Sequence, residues 1–167
     1  MNHLIRITLE NHTSAVYFDW RYGYNMEEFF IKLCEPFFPN KISNKIFFRY
    51  LQPYAMRLKS RMHGIGRHSM DEKAKFSFQD LTAISHILGD KPFFNGDSPS
   101  TIDCTVFGHM VQMLLLPLDT PQKKFIKENC KNLEEFVERM KLRLWPDWDQ
   151  MSHSDCMIGK KALSIMD

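Results

Sequence analysis

The chain has no CxxC pair: its four cysteines, Cys34, Cys104, Cys130 and Cys156, stand far apart in 167 residues. That spacing excludes a zinc site built on paired thiolates and a thioredoxin-type redox pair, and makes reduced, intracellular thiols the expectation. No run approaches the roughly 20 apolar residues that cross a bilayer, and the first residues lack the basic-then-apolar order of a signal peptide. A soluble, cytoplasmic chain is expected. Charge of one sign is scarce as well: 22 Lys and Arg face 20 Asp and Glu for a net +2, which argues against a nucleic-acid partner. Internal repeats and sustained two-residue alternation are also missing, so neither a solenoid nor a sheet is expected.

What is present is apolar material at helical spacing. Hydrophobic residues make up 44% of the chain, with 14 Phe and 11 Met, enough for one core, since a chain of about 150 residues buries roughly 70% of its unfolded surface. An all-α fold follows. The first helix is expected over residues 3–22, ending in the cluster "VYFDWRYGY" with Gly23 as its stop. Asn25 and Glu28 open a short segment closed by Pro36 and Pro39. Phe47, Leu51, Tyr54, Leu58 and Met62 then recur on one face of a helix over 43–63, in which Pro53 predicts a kink or break near Arg49. After the turn "HGIGRHS", Ser69 and Glu72 make a capping box for a helix that carries Phe78, Leu81, Ile84 and Leu88 inward and stops at Gly89. Further helices are expected near 121–130 and 132–144. Residues 1–149 form the helical domain and 150–167 a weakly patterned tail.

The stretch "SPSTIDCTVFGH" puts a hydroxyl and a carboxylate at the head of the most apolar helix. Ser100 as N-cap accepts from the Asp103 backbone while the Asp103 carboxylate accepts from the Ser100 amide, so two orphan donors are satisfied where water is excluded. Val106, Phe107, Met110, Val111, Met113, Leu114 and Leu115 cover most of that helix, which makes it central. Other constellations carry little. "GIGRHS" follows a helix rather than a strand and reads as turn geometry. His12, Asp19 and Cys34, or His153, Asp155 and Cys156, have no fixed mutual geometry, so no catalytic triad and no metal site is assigned. Glu134, Glu135 and Glu138 beside Arg139, Lys141 and Arg143 read as a solvated face. Residues 41–75 hold nine Lys and Arg against two acids, a solvated face or an anion-binding patch.

The Ser-x-x-Asp head of a buried helix resembles the capping motif of the central helix in the C-terminal domain of glutathione S-transferases. With "HGIGRHS", "LGDKPFFNGDSPSTIDCTVFGHMVQML" and "RLWPDWD" in order, the chain to about Asp149 resembles the failed axon connections family, relatives of the metaxins. The resemblance implies a glutathione S-transferase C-terminal-like helical bundle without the N-terminal thioredoxin-like domain, because Met1 falls close to where the helical domain begins in that family. It thus implies a half-protein, whether a fragment, an incomplete gene model or a truncated isoform, with no catalytic residue of its own. Glutathione would bind only where the thioredoxin-like domain is present, since that domain supplies the thiol-activating group. By resemblance the helical domain lends an apolar substrate wall, here Tyr17, Trp20 and Tyr24; His109 on the central helix is a core histidine or a pocket residue. The expected partner is the thioredoxin-like domain. Bared aromatic surface adds the expectation of self-association, as a homo-oligomer or with a protein partner. The alternative reading is a non-enzymatic interaction module at a membrane or in neuronal development, drawing on the metaxins' role in mitochondrial import.

Overall fold

The computed structural model describes residues 1–29, 46–116 and 118–148, and among them forms seven helices and no strand. The expected segment around Pro36 and Pro39 and the tail 150–167 lie outside these residues. The first helix, α1, is one continuous rod in which α-helical Asn2–Ile7 and Ser14–Phe18 alternate with π-helical Thr8–Thr13 and Asp19–Tyr24. A short α2 follows over Met26–Phe29, and α3 joins π-helical Phe47–Leu51 to α-helical Gln52–Met62. The remaining helices are α4 (Met70–Leu88), α5 (Thr101–Leu114), α6 (Pro121–Asn129) and α7 (Lys131–Leu144).

Local chemistry sets most of the boundaries. Helix α4 starts on the Ser69 and Glu72 capping box, with the Glu72 amide 3.2 Å from the Ser69 hydroxyl and the Ser69 amide 2.8 Å from the Glu72 carboxylate. It stops at Gly89, whose φ of +56° suits a residue without Cβ. Thr120 caps α6 by accepting from the Lys123 amide at 2.9 Å, with Pro121 in the first turn, where its missing donor costs nothing. Cys130 ends α6 and caps α7, so the two helices turn back on each other with no linker.

Helix α5 is the centre of the bundle. Ile102, Val106, Phe107, Met110, Met113 and Leu114 are buried against Ile5, Leu9 and Tyr17 of α1, Leu81, Ile84 and Leu88 of α4, and Leu133, Phe136, Val137 and Met140 of α7. At its C-terminal end Leu115 is exposed and Val111 only partly buried, so the expected apolar cover over most of the helix narrows to the face that meets its neighbours. Its head is more deeply tied than a cap alone requires. One Asp103 carboxylate oxygen accepts from the Ser100 amide at 2.8 Å and the Ser100 hydroxyl at 2.6 Å, and the other accepts from the Phe94 amide at 2.8 Å. The loop before α5 is thereby pinned to the helix, with Phe93 and Gly96 bonded to each other at 3.1 Å. Beyond α7, Trp145 stacks on Phe107 with 5.2 Å between ring centres, and Trp148 meets the same ring edge-on, so the "RLWPDWD" motif folds back onto the central helix.

The structure corrects one expectation and refines two. Gly23 does not stop α1: it lies inside the helix, where an added Cβ would come within 3.2 Å of the Arg57 side chain and 3.3 Å of Asp19 Oδ1, so its smallness serves packing against α3. The stop is Asn25, whose amide and side chain both donate to the Trp20 carbonyl. The chain stays helical through Pro53, but the hydrogen bonding changes there from π-helical Phe47–Leu51 to α-helical Gln52–Met62, with Pro53 in the first turn of the α segment. The face of Phe47, Leu51, Tyr54, Leu58 and Met62 is turned outward, with Tyr54 67% and Met62 76% exposed, while Pro53 and Ser60 on the opposite side are buried against α1.

Candidate functional site

The three aromatic side chains expected to form a wall do not converge, and His109, a core or pocket candidate, stands apart from them. In a regular α-helix Tyr17, Trp20 and Tyr24 share a face. The π segment from Asp19 adds residues to the turn and spreads them around the rod. Tyr17 is in the core: its hydroxyl donates to the Gln112 carbonyl at the C-terminal end of α5 and accepts from Arg21. Burial pushes the Tyr17 phenol up from 10.0, against the pull of Arg21, so the group stays a neutral donor. Arg21 is itself buried and lies over the rings of Tyr17, Phe18, Tyr22 and Phe29 at 4.2–5.7 Å. Ring faces and helix-end carbonyls thus share the stabilisation of this cation.

Trp20 instead borders a groove of about 520 Å³ with Thr120, Pro121 and the lysines 123, 124 and 127. Tyr24 is exposed, with Arg57 and Lys73 placed over its ring at 5.5 and 5.0 Å. His109 is half-buried on α5, with Nδ1 3.1 Å from the Ser14 hydroxyl. Burial lowers its basicity below 6.5, only partly offset by Glu10.

What the fold does bring together is a cleft of about 440 Å³ between α1 and α3. Its walls are Glu10, Asn11, Ser14, Ala15, Phe18, Asp19 and Tyr22 from α1, Met56, Lys59 and Ser60 from α3, and His63 and Ile65 from the turn after it. The α1 residues repeat at three- and four-residue steps and so line one side of the rod. At the base, Asp19 Oδ2 accepts from Lys73 Nζ at 2.6 Å, and both side chains are 2% exposed. Asp19 Oδ1 and Ser60 Oγ are buried without a partner among the described residues. "HGIGRHS" shapes the far end. Gly64 takes φ +96°, and a Cβ on Gly66 would lie 2.6 Å from the Arg61 amide nitrogen, so only glycine lets the turn cross the end of α3 and bring Ile65 to the cleft.

Sequence reasoning weighed Asp19 only beside His12 and Cys34, and passed over Ser60 and Lys73. The available signal was a lone acid inside an aromatic cluster, which needs a cation once buried, but its partner lies 54 residues away. His12 and Asp19 do not gather: His12 Nδ1 is bonded instead to Asp80 at 2.6 Å. Cys34, His153, Asp155 and Cys156 lie outside the described residues, and among the described ones no three His, Cys, Asp or Glu groups could hold a metal ion. No described helix is long and apolar enough to cross a membrane.

Comparison with known proteins agrees with this architecture. Residues 78–140 match the model of the glutathione S-transferase C-terminal domain. The chain is 35% identical over 154 residues to failed axon connections of Drosophila melanogaster, covering 86% of this chain and 37% of that protein. It is 34% identical over 82 residues to the metaxin-1 homolog of Caenorhabditis briggsae (49% of this chain, 26% of that one) and 27% over 99 residues to metaxin-2 of Mus musculus (59% and 38%). The chain therefore spans well under half the length of the relatives it matches. No solved structure matches it. A buried Ser-x-x-Asp helix head, a central helix ringed by its neighbours and these likenesses together make the chain a helical domain of the glutathione S-transferase C-terminal type, similar over most of its length to failed axon connections and over about half of it to metaxins.

Proposed function

We propose that this domain is the helical half of a glutathione S-transferase-like protein, packing against a thioredoxin-like domain and completing an apolar pocket with it. The reading rests chiefly on the likeness to failed axon connections, of which this chain corresponds to 37%. A complementary observation is the outer edge of α1, where Leu4 is 63% and Ile7 40% exposed although Ile5 and Leu9 beside them are fully covered. In this reading the thioredoxin-like partner binds glutathione and activates its thiol, because a thiol with a pKa near 8.5 needs a positioned donor or positive dipole; this domain contributes packing and shape. Co-expression with the thioredoxin-like domain of a longer family member is expected to give a complex that binds immobilised glutathione, and Leu4→Glu with Ile7→Glu to dissociate it. Failure of the two halves to associate would remove the reading.

A second reading, docking at an anionic membrane surface, is favoured by α3. Its outward apolar face is bordered by Arg57, Lys59 and Arg61, and no Asp or Glu occurs from residue 46 to 70, the pattern of an interfacial amphipathic helix. Co-sedimentation with phosphatidylserine vesicles, reduced both by Arg57→Glu with Arg61→Glu and by Leu51→Ser with Leu58→Ser, is the expected result. Equal sedimentation of all three proteins would dismiss it.

A further inference from the structure

We propose that, away from a membrane, the outward face of α3 is covered by the same face of a second copy in antiparallel packing, and that this pairing withholds the face from an anionic surface. The inference takes the surface from the membrane reading above; the pairing stands on the face itself.

Size comes first. Between Ile46 and Met62 seven large apolar side chains are 43–76% exposed. A large apolar side chain carries on the order of 200 Å², so roughly 100 Å² stays open on each and roughly 700 Å² on the face, against the ~800 Å² per partner of a standard interface. A second copy brings a face of the same length, a helix of ~25 Å, and closes the pair on a twofold axis with no part of the stripe left over.

Charge sets the direction. Arg57, Lys59 and Arg61 stand in the C-terminal half of α3, and no Asp or Glu occurs from residue 46 to 70. Near the other end Arg49 is held by Glu27 of α2 at 2.5 Å. Parallel packing would gather the cations of both copies at one end. Antiparallel packing lays the cationic half of each helix beside the neutralised half of the other, and opposes the two helix dipoles. Repulsion is reduced but not removed, because packed helices lie about 8–10 Å apart, no more than a Debye length of about 10 Å at 0.1 M salt. An anionic surface attracts the same cations. The two occupants therefore answer oppositely to charge: removing cations tightens the pair and loosens the hold on lipid.

The test uses the full chain carrying Cys34→Ser, Cys104→Ser and Cys156→Ser, which leaves only the buried Cys130. Tyr54 lies near the middle of the face and is exposed, so Tyr54→Cys on this background is expected to form an intermolecular disulfide under copper phenanthroline, whereas Met62→Cys, at the end of the face, is expected to form none. No cross-link through Tyr54→Cys, or equal cross-linking of both variants, would overturn the antiparallel pair. The oxidised Tyr54→Cys dimer is expected to bind phosphatidylserine vesicles roughly tenfold less than the same protein reduced, since its basic face is covered; equal binding would overturn the withholding. Arg57→Gln with Arg61→Gln, without the added cysteine, is expected to dimerise roughly threefold more tightly in sedimentation equilibrium at low salt while its vesicle binding falls. A weaker dimer would overturn the assigned role of those cations. Cross-linking through Tyr54→Cys by a chain that ignores vesicles even when reduced would support the pair, and would remove the membrane reading and the withholding with it.

Discussion

His109 shows how much a single side chain owes to its surroundings. On α5 it meets the Ser14 hydroxyl at 3.1 Å, and burial holds its imidazole less basic than the ordinary 6.5. A histidine whose folded value is depressed binds protons more readily when unfolded. Its stabilising contribution is therefore complete above about pH 6.5, the unfolded value, and is lost as pH falls below it. Urea denaturation between pH 7.5 and 5.5 should show a steeper loss of stability for the natural chain than for His109→Gln; parallel curves would mean that the imidazole charges as easily folded as unfolded. The sequence placed His109 on the central helix, but not its contact with Ser14. That contact depends on how far α1 rises beside α5, and helical periodicity carries no information on the offset between two rods.

Among the elements, the head of α5 is the most legible. Ser100 and Asp103 stand three apart, so their exchange is local and spacing suffices to find it. The second role of Asp103, accepting from the Phe94 amide, crosses a nine-residue loop and escapes any pattern of fixed spacing. The two residues should accordingly differ in value. Ser100→Ala should cost on the order of 1 kcal/mol, as cap losses do. Asp103→Ala should cost about 3 kcal/mol, because it strands the buried Phe94 amide as well as the part-buried Ser100 amide. Chemical denaturation of the two variants checks this, and equal midpoints would reduce Asp103 to an ordinary cap. Helix α3 teaches the converse. Its apolar stripe was plain in the sequence, but periodicity identifies a face without saying what covers it. Here the opposite face, with Pro53, Met56 and Ser60, is the one laid on α1.

For the whole molecule, that outward stripe and the exposed edge of α1 leave large apolar side chains in solvent at two places. Contiguous apolar surface of this kind drives association. Sedimentation at increasing concentration is expected to show species heavier than the monomer, and Leu51→Ser with Leu58→Ser to return the chain to monomer without loss of helical circular dichroism. A natural chain that stays monomeric throughout would show that the flanking arginines and lysine suffice to keep the face apart. The family likeness belongs to this scale too, because it rests on ordered motifs spread over most of the chain.

By itself the sequence determined that the chain is helical, where α4, α6 and α7 begin and end, and where α5 begins. These follow from interactions three or four residues apart, and their geometry is the same in any helix. Only the tertiary structure decided that Asp19 meets Lys73, that Gly23 yields space to α3, and that the walls of the cleft come from α1 and α3 while Tyr17, Trp20 and Tyr24 part company. Each of those outcomes depends on the relative rotation and offset of packed helices.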